Sequence, residues 1–157
     1  MKTAIAGCLW IVTGMASLGC RPAPEGSDGA PAVAVSQAVI PAPPSETEAT
    51  AYLTLDNRGG APDTLLGVRS PQAGGVMLHD MVGGRMEMVP ALPLPPGRRV
   101  RLVPGSYHLM LRELVHPLVI GDTVTLELRF AKAAAVAVRA PVLRFTEAVN
   151  RATSDAP

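Results

Sequence analysis

The chain has 157 residues, 48% of them apolar, and a formal net charge of +1. This length suits one domain with short appendages, and the apolar content is enough to build a core. The near-neutral charge and the scarcity of aromatic residues argue against nucleic acid as a partner, because such proteins need a basic stripe or an aromatic platform. Valine, leucine, isoleucine and alanine must therefore form the core.

Residues 1–19 are predicted to be a signal peptide. Lys2 supplies a positive end, and the apolar run over residues 4–17 is short for a membrane-spanning helix, which needs about 20 residues. Leu18-Gly19-Cys20 then resembles the cleavage box of a lipoprotein, in which the cysteine becomes the lipidated N-terminus. Lipidation of Cys20 and plain signal cleavage both stay open. Either route exports the protein, to the periplasm or to a membrane anchor that faces the periplasm.

Residues 20–31 are predicted to be a flexible tether, because proline, glycine and charged residues dominate them. From residue 32 to 145, short apolar segments alternate with turns that contain glycine or proline, which is typical of strands joined by tight loops. The predicted strands span residues 32–39, 51–55, 64–68, 75–79, 85–89, 100–103, 107–111, 123–130 and 134–138. Residues 146–157 are a C-terminal tail with a weak helical pattern over 146–151. The pattern predicts an all-β domain, a Greek-key β-sandwich or small barrel.

Histidine and methionine are concentrated in one part of the chain. After the leader there are three histidines and five methionines, and all eight lie between Met77 and His116. Methionines that only fill gaps in a core should scatter through it. The clustering indicates a shared role.

The spacing of these residues predicts a metal site. His108 and Met110 lie two residues apart, as do Met86 and Met88, and side chains at i and i+2 share one face of a strand. Two such strands meeting at one end of the domain, together with His79, could offer two imidazoles and two thioethers to one ion. Thioether sulfur is a soft donor that suits Cu(I), whereas zinc, calcium and magnesium prefer thiolate, imidazole or oxygen. No cysteine accompanies the histidines, which argues against a blue-copper centre.

Two members of the group are expected to have ordinary roles. Met77 lies between Val76 and Leu78 and is expected to fill the core, and His116, followed by Pro117 in a loop, is expected to be solvated. A second interpretation keeps the methionines without a metal: a lipid-tethered β-sandwich that binds a protein partner through a Met-rich apolar patch. The sequence shows no phosphate loop and no nucleophile–base arrangement, so no enzymatic activity is predicted.

Several segments resemble the periplasmic copper chaperones called PCuAC. They are residues 51–57 (AYLTLDN), 63–67 (DTLLG), 78–79 (LH), 86–88 (MEM), 104–111 (PGSYHLML) and 121–124 (GDTV). The resemblance covers roughly residues 32–142. It implies a cupredoxin-like β-sandwich that holds Cu(I) near its surface and delivers copper toward the binuclear copper centre of cytochrome oxidase. Carried onto this chain, it implies the ligands His79, Met88, His108 and Met110.

The spacing of those ligands departs from the family pattern. The family usually has ten residues between the first histidine and the methionine, and twenty-one between that methionine and the second histidine. Both intervals are two shorter here if Met88 is the ligand, whereas Met86 restores the second interval and shortens the first further. Val89-Pro90 follows Met88 as the family pattern expects, which favours Met88, and both Met86 and Met81 stay open. Residues 144–157 contain no histidine or methionine, so the Cu(II)-binding tail of some relatives is not expected.

Overall fold

The computed structural model describes residues 29–154, which form ten β-strands and one helix. The predicted signal peptide, most of the tether and the last three residues lie outside the described residues. Each predicted strand overlaps an observed one. The elements are β1 (Val33–Pro41), β2 (Glu48–Asn57), β3 (Asp63–Arg69), β4 (Ala73–Val82), β5 (Arg85–Met88), β6 (Leu92–Leu94), β7 (Arg98–Leu102), β8 (His108–Leu114), β9 (Thr123–Phe130), β10 (Val136–Leu143) and α1 (Phe145–Thr153).

All ten strands join one sheet, in the order β5-β4-β8-β2-β1-β10-β9-β3-β6, with β7 added to β2. β8 pairs with residues 48–51 of β2, and β7 pairs with residues 53–57 of the same strand. β1 and β10 run parallel, whereas the other pairs are antiparallel. The strands at the two ends of this order, β5 and β6, follow each other in sequence, and β3 contacts β4. The sheet therefore curls into a barrel, which confirms the all-β prediction.

The interior of the barrel is filled almost entirely by aliphatic side chains, as the composition predicts. Leu53, Val124 and Leu126 are at most 1% exposed, and Phe130 is the one aromatic residue buried with them in the main core of the described chain. Along β9 every second residue is buried, which is the period expected for a strand with one face on a core. In β9 the alternation of apolar residues therefore sets the inward face of the strand, whereas residues 51–55 of β2 are all buried.

Helix α1 covers part of the outer surface of the barrel. Ala148 and Ala152, one turn apart, are buried against Val39 and Tyr52. Small side chains at i and i+4 share one face of a helix and let it approach the strands closely. Much of the predicted C-terminal tail is thus a helix packed on β1 and β2. Over residues 29–154, no helix has the length and apolar character needed to cross a membrane.

Most observed strands differ from the predicted ones by a few residues at their ends, one strand was not predicted, and β10 is shifted along the chain. The sequence does not predict β6, because this three-residue strand contains Pro93 and lies between other prolines; its pairing with β3 depends on the barrel around it. β10 begins at residue 136, later than predicted, because the preceding residues form a turn. In that turn the amides of Lys132 and Ala133 donate to the Asp63 carboxylate, at 3.0 and 2.8 Å.

Candidate metal centre

Three neighbouring strands, β5, β4 and β8, share an outer face that is rich in sulfur and imidazole. Partners in an antiparallel pair lie on the same face of the sheet, and so do residues two apart along one strand. The pairing therefore decides which side chains lie together. We call this surface the donor face, and it has three successive rows: Met77 and Met110; Met88, His79 and His108; and Met86 and Met81.

A two-residue turn sets the register between β4 and β5. Gly83 and Gly84 have φ values of 57° and 80°, which lie in the left-handed region that glycine adopts without strain. Two such residues make the tight turn that matches the twist of a β-hairpin. From this turn the ladder runs without a shift to the pair of His79 and Met88. Met88 is thereby placed directly beside His79, and Met86 lies one row further toward the turn.

The start of β8 holds the ring of His108. Its Nδ1 lies 2.9 Å from the carbonyl oxygen of Ser106. Because a carbonyl oxygen only accepts, Nδ1 carries the proton of the neutral ring and donates it, and Nε2 keeps a free lone pair. Donation of the second ring nitrogen to a backbone carbonyl is also how metal-bound histidines are usually oriented. His108 is 6% exposed, so its surroundings limit the ring to few orientations.

In the partner ring, His79, one nitrogen has no hydrogen-bond partner. Its Nδ1 is the only fully buried side-chain nitrogen or oxygen within residues 29–154 that has no hydrogen-bond partner. Leaving such a group unpaired costs about 1–3 kcal/mol, so each case calls for an explanation. The ring centroids of His79 and His108 are 5.8 Å apart, with planes tilted by 36°. An ion about 2 Å from one nitrogen of each ring, as in zinc–imidazole bonds, would place the centroids roughly 5–6.5 Å apart. The pair therefore fits one shared metal ion.

The electrostatics of this pair also favour a metal-binding state. Burial lowers the pKa of His79 below the ordinary imidazole value of 6.5, and the nearby His108 and Arg112 lower it further by charge repulsion. A lowered pKa keeps the ring neutral at neutral pH. Neutral imidazole is the form that binds metals.

The methionines around the histidine pair differ in exposure. Met88 is 66% exposed and Met86 49% exposed, whereas Met81 and Met110 are half-buried. Within residues 29–154, no three His, Cys, Asp or Glu side chains are grouped so that they could hold one ion. In the ladder the neighbours of the histidine pair on the donor face are thioethers. Any further protein donor from this face would therefore be sulfur.

Of the two residues that were expected to have no part in the metal site, one differs from its prediction and one agrees with it. Met77 is 36% exposed and lies opposite Met110 on the donor face, so the prediction that it fills the core is wrong. Alternate residues of a strand face opposite ways, and Val76 and Leu78 are the ones that pack on the core. His116 is exposed in the loop after β8, as predicted.

Known proteins are similar to this chain in sequence and in fold. A family model described as "Putative lipoprotein LpqE-like" matches residues 33–142. "Putative lipoprotein Lxx21020" of Leifsonia xyli subsp. xyli is 31% identical over 151 residues, which cover 93% of this chain and 90% of the relative.

Two solved structures extend the comparison to three dimensions. "Copper-bound PCuAC domain from PmoF2" has 29% identity and a TM-score of 0.62, over 71% of this chain and 92% of the other. The Cu(I) form of DR1885 from Deinococcus radiodurans has 29% identity and a TM-score of 0.59, over 78% of this chain and 80% of the other. These matches confirm the cupredoxin-like barrel. The chain belongs to the LpqE-like family, and its domain is of the PCuAC type.

Proposed function

We propose that this protein is an exported copper chaperone that binds one Cu(I) ion on the donor face and passes it to a partner protein. The proposed ligands are His79, His108, Met88 and Met110. The observation that carries the proposal is the His79–His108 pair, with centroids 5.8 Å apart and a buried Nδ1 of His79 that lacks a partner. Copper-bound PCuAC domains with the same fold support the choice of metal.

The choice of Cu(I) and of Met88 follows from the chemistry and register of the donor face. Two imidazoles and two thioethers form a soft, neutral donor set that suits monovalent copper better than zinc or calcium. Met88 lies directly beside His79 in the ladder, and Met110 lies two residues from His108 on the same face. Met86 is one row further away, so we assign it no place among the four ligands.

Exposure gives the ligands unequal roles in transfer. His108 is 6% exposed and Met88 is 66% exposed. An acceptor can therefore reach the metal from the Met88 side and replace that thioether before it displaces the buried imidazole. The proposed acceptor is a copper-receiving protein such as a subunit of cytochrome oxidase, which the family resemblance implies.

The proposal places the protein outside the cytoplasm. The predicted signal peptide and the candidate lipidation site at Cys20 would tether the domain to a membrane through residues 20–31. The match to a lipoprotein family and to a relative with a lipoprotein name supports this placement. The mass of the mature N-terminus would show directly whether Cys20 carries lipid.

An anaerobic Cu(I) titration in competition with a chromophoric Cu(I) chelator tests the function. Wild type should bind one equivalent tightly, and His108→Ala should bind at least about tenfold more weakly, because loss of a ligand costs no less than loss of the groups that orient ligands. His116→Ala is the matched control and should match wild type, because His116 is exposed in a loop. Circular dichroism checks that both variants fold. A wild-type protein without tight Cu(I) binding, or an unaffected His108→Ala, would refute the proposal.

A second candidate function has its own supporting observation. A cavity of about 180 Å³ opens beside the donor face, and apolar side chains including Leu66, Met77 and Met88 line it. Grouped exposed apolar side chains of this kind mark protein-binding surfaces, and methionine suits adaptable ones. Met110→Leu separates the two functions, because it keeps the apolar volume and removes the sulfur. Weaker Cu(I) binding in this variant supports the chaperone, whereas unchanged Cu(I) behaviour favours the interaction surface.

A further inference from the structure

The donor face contains more thioethers than one Cu(I) ion needs. The proposed site uses four donors and leaves three methionines on the same face without a role, Met77, Met81 and Met86. Met86 is 49% exposed, so packing does not account for it. Met81 and Met86 lie directly opposite each other, in the row between the histidine site and the hairpin turn.

The distance between the two rows lets one side chain serve both. Residues two apart on a strand are about 7 Å apart, and methionine has a long, flexible side chain. Met88 lies two residues from Met86 on β5 and is 66% exposed, so little packing holds its thioether toward either row. Met81 and Met86 can offer two sulfurs to one ion, and Met88 can add a third whenever it is not held by an ion at the histidines.

The charges of the hairpin favour a cation at this row. Asp80 and Glu87 pair across β4 and β5 on the opposite face of the ladder, between the row of Met88 and the row of Met86, and together with Arg85 at the start of β5 they give the hairpin one net negative charge. Like charges directly opposite each other are unfavourable, and a nearby cation relieves the repulsion. On the other side of the histidine site, the row beyond Met110 contains Arg112, whose guanidinium pairs with the Glu48 carboxylate at 3.2 Å, so no free negative charge attracts a cation there. The side toward the hairpin turn is therefore the one that combines a net negative charge with two facing thioethers, those of Met81 and Met86.

We propose that Met81 and Met86 form a second, weaker Cu(I) site, which shares Met88 with the histidine site and through which copper enters and leaves it. This inference rests on the proposed function. A site of thioethers alone lacks imidazole donors, so it binds copper less tightly than the histidine site. A second site that binds the ion weakly can accept it from a partner protein at the exposed hairpin, or release it to one.

Nuclear magnetic resonance of protein labelled with ¹³C at the methionine methyl groups tests the second site. Cu(I) alone is added anaerobically in steps, up to about three equivalents. The first equivalent should shift the methyl signals of Met88 and Met110. Further copper should shift those of Met81 and Met86, with an affinity at least about tenfold weaker than the first step, and should leave Met77 unmoved.

Two leucine variants complete the experiment. The double variant Met81→Leu/Met86→Leu should lose the second step and keep the first, whereas the control Met77→Leu should keep both. Methyl signals of Met81 and Met86 that stay fixed up to three equivalents would refute the second site. So would a double variant whose first step is weakened as strongly as that of Met88→Leu, because these residues would then belong to the first site. If no methyl signal moves at one equivalent, the proposed function itself fails, which is a different result.

Discussion

Replacing Met88 by leucine should weaken Cu(I) binding, whereas the same change at Met86 should leave the first, tight site nearly intact. The reason lies in the ladder that the Gly83–Gly84 turn sets. Met88 pairs with His79, and Met86 pairs with Met81 one row away. The two methionines are otherwise alike, since they lie on the same short strand and the same face.

The expected size of the effect follows from the number of donors. Loss of one thioether from the four proposed ligands should lower the Cu(I) affinity about 10- to 100-fold, or by about 1.4–2.7 kcal/mol. The change at Met86 should stay within about twofold. Met88 and Met86 are 66% and 49% exposed, and leucine keeps their apolar volume, so the unfolding free energy should change by less than about 0.5 kcal/mol. A loss of affinity would therefore not reflect a folding defect.

The assay is an anaerobic competition with a chromophoric Cu(I) chelator at no more than one equivalent of copper, so that only the tight site fills. Urea unfolding of both variants checks stability. A larger loss for Met86→Leu than for Met88→Leu would show that the ladder does not decide the ligand. Losses of twofold or less in both variants would remove strand β5 from the copper site.

Three other outcomes follow from the same structure. The pKa of the His79 imidazole should lie below 6.5 in the metal-free protein, because burial and, to a lesser extent, the neighbouring His108 disfavour its charged form. A nuclear magnetic resonance titration with a midpoint above pH 6.5 would contradict this. Burial alone would raise the pKa of Asp63, but the backbone amides of Thr64, Lys132 and Ala133 donate to its carboxylate and lower the pKa below the ordinary value of 3.8. Asp63→Asn should therefore lower the free energy of unfolding by about 1–3 kcal/mol at neutral pH. The difference from wild type should shrink as acid protonates the wild-type carboxylate below about pH 4. A difference in urea unfolding that is undiminished at about pH 2 would contradict this role of the carboxylate. Leu126→Ala should lower the free energy of unfolding by about 2–5 kcal/mol, since Leu126 is fully buried. It should not change the Cu(I) affinity of the folded protein, because β9 does not pair with the donor strands. A urea midpoint equal to that of wild type would contradict the first expectation, and an altered affinity would contradict the second.

Most strands can be located from the sequence because glycine and proline residues show where the turns between them lie. Glycine pairs such as Gly83–Gly84 and the Pro104–Gly105 step interrupt apolar alternation where the backbone must reverse, so strand positions follow from local chemistry. β6 escapes this reasoning because its three residues include Pro93 and acquire a strand conformation only by pairing with β3. The helix at the C-terminus was a weak pattern, since its two buried alanines carry little local signal before β1 and β2 are placed beneath them.

From the sequence, residues of the donor face could be grouped only when they belong to the same strand. Spacing of two residues places His108 and Met110 on one face wherever that strand lies. The pairing of His79 with His108 joins residues distant in sequence, and it depends on the register between β4 and β8, which no local pattern encodes. Met77 shows the same limit: its apolar neighbours suggest a core residue, and only the register shows that it faces outward.

The core of the barrel and the donor face use alternate residues of the same strands, and this couples folding to the metal site. Leu78 and Leu109 pair across β4 and β8 and contribute to the core, while the next pair, His79 and His108, lies on the donor face. A one-residue slip between these strands would move the leucines outward and the histidines inward, and each leucine exposed would cost about 1.5–3 kcal/mol. The hydrophobic core therefore holds the two imidazoles beside each other before any metal binds. Copper bound at the proposed site would then not have to order the strands, so its affinity would reflect the donors, and loss of the exposed Met88 thioether would release the ion without unfolding the domain.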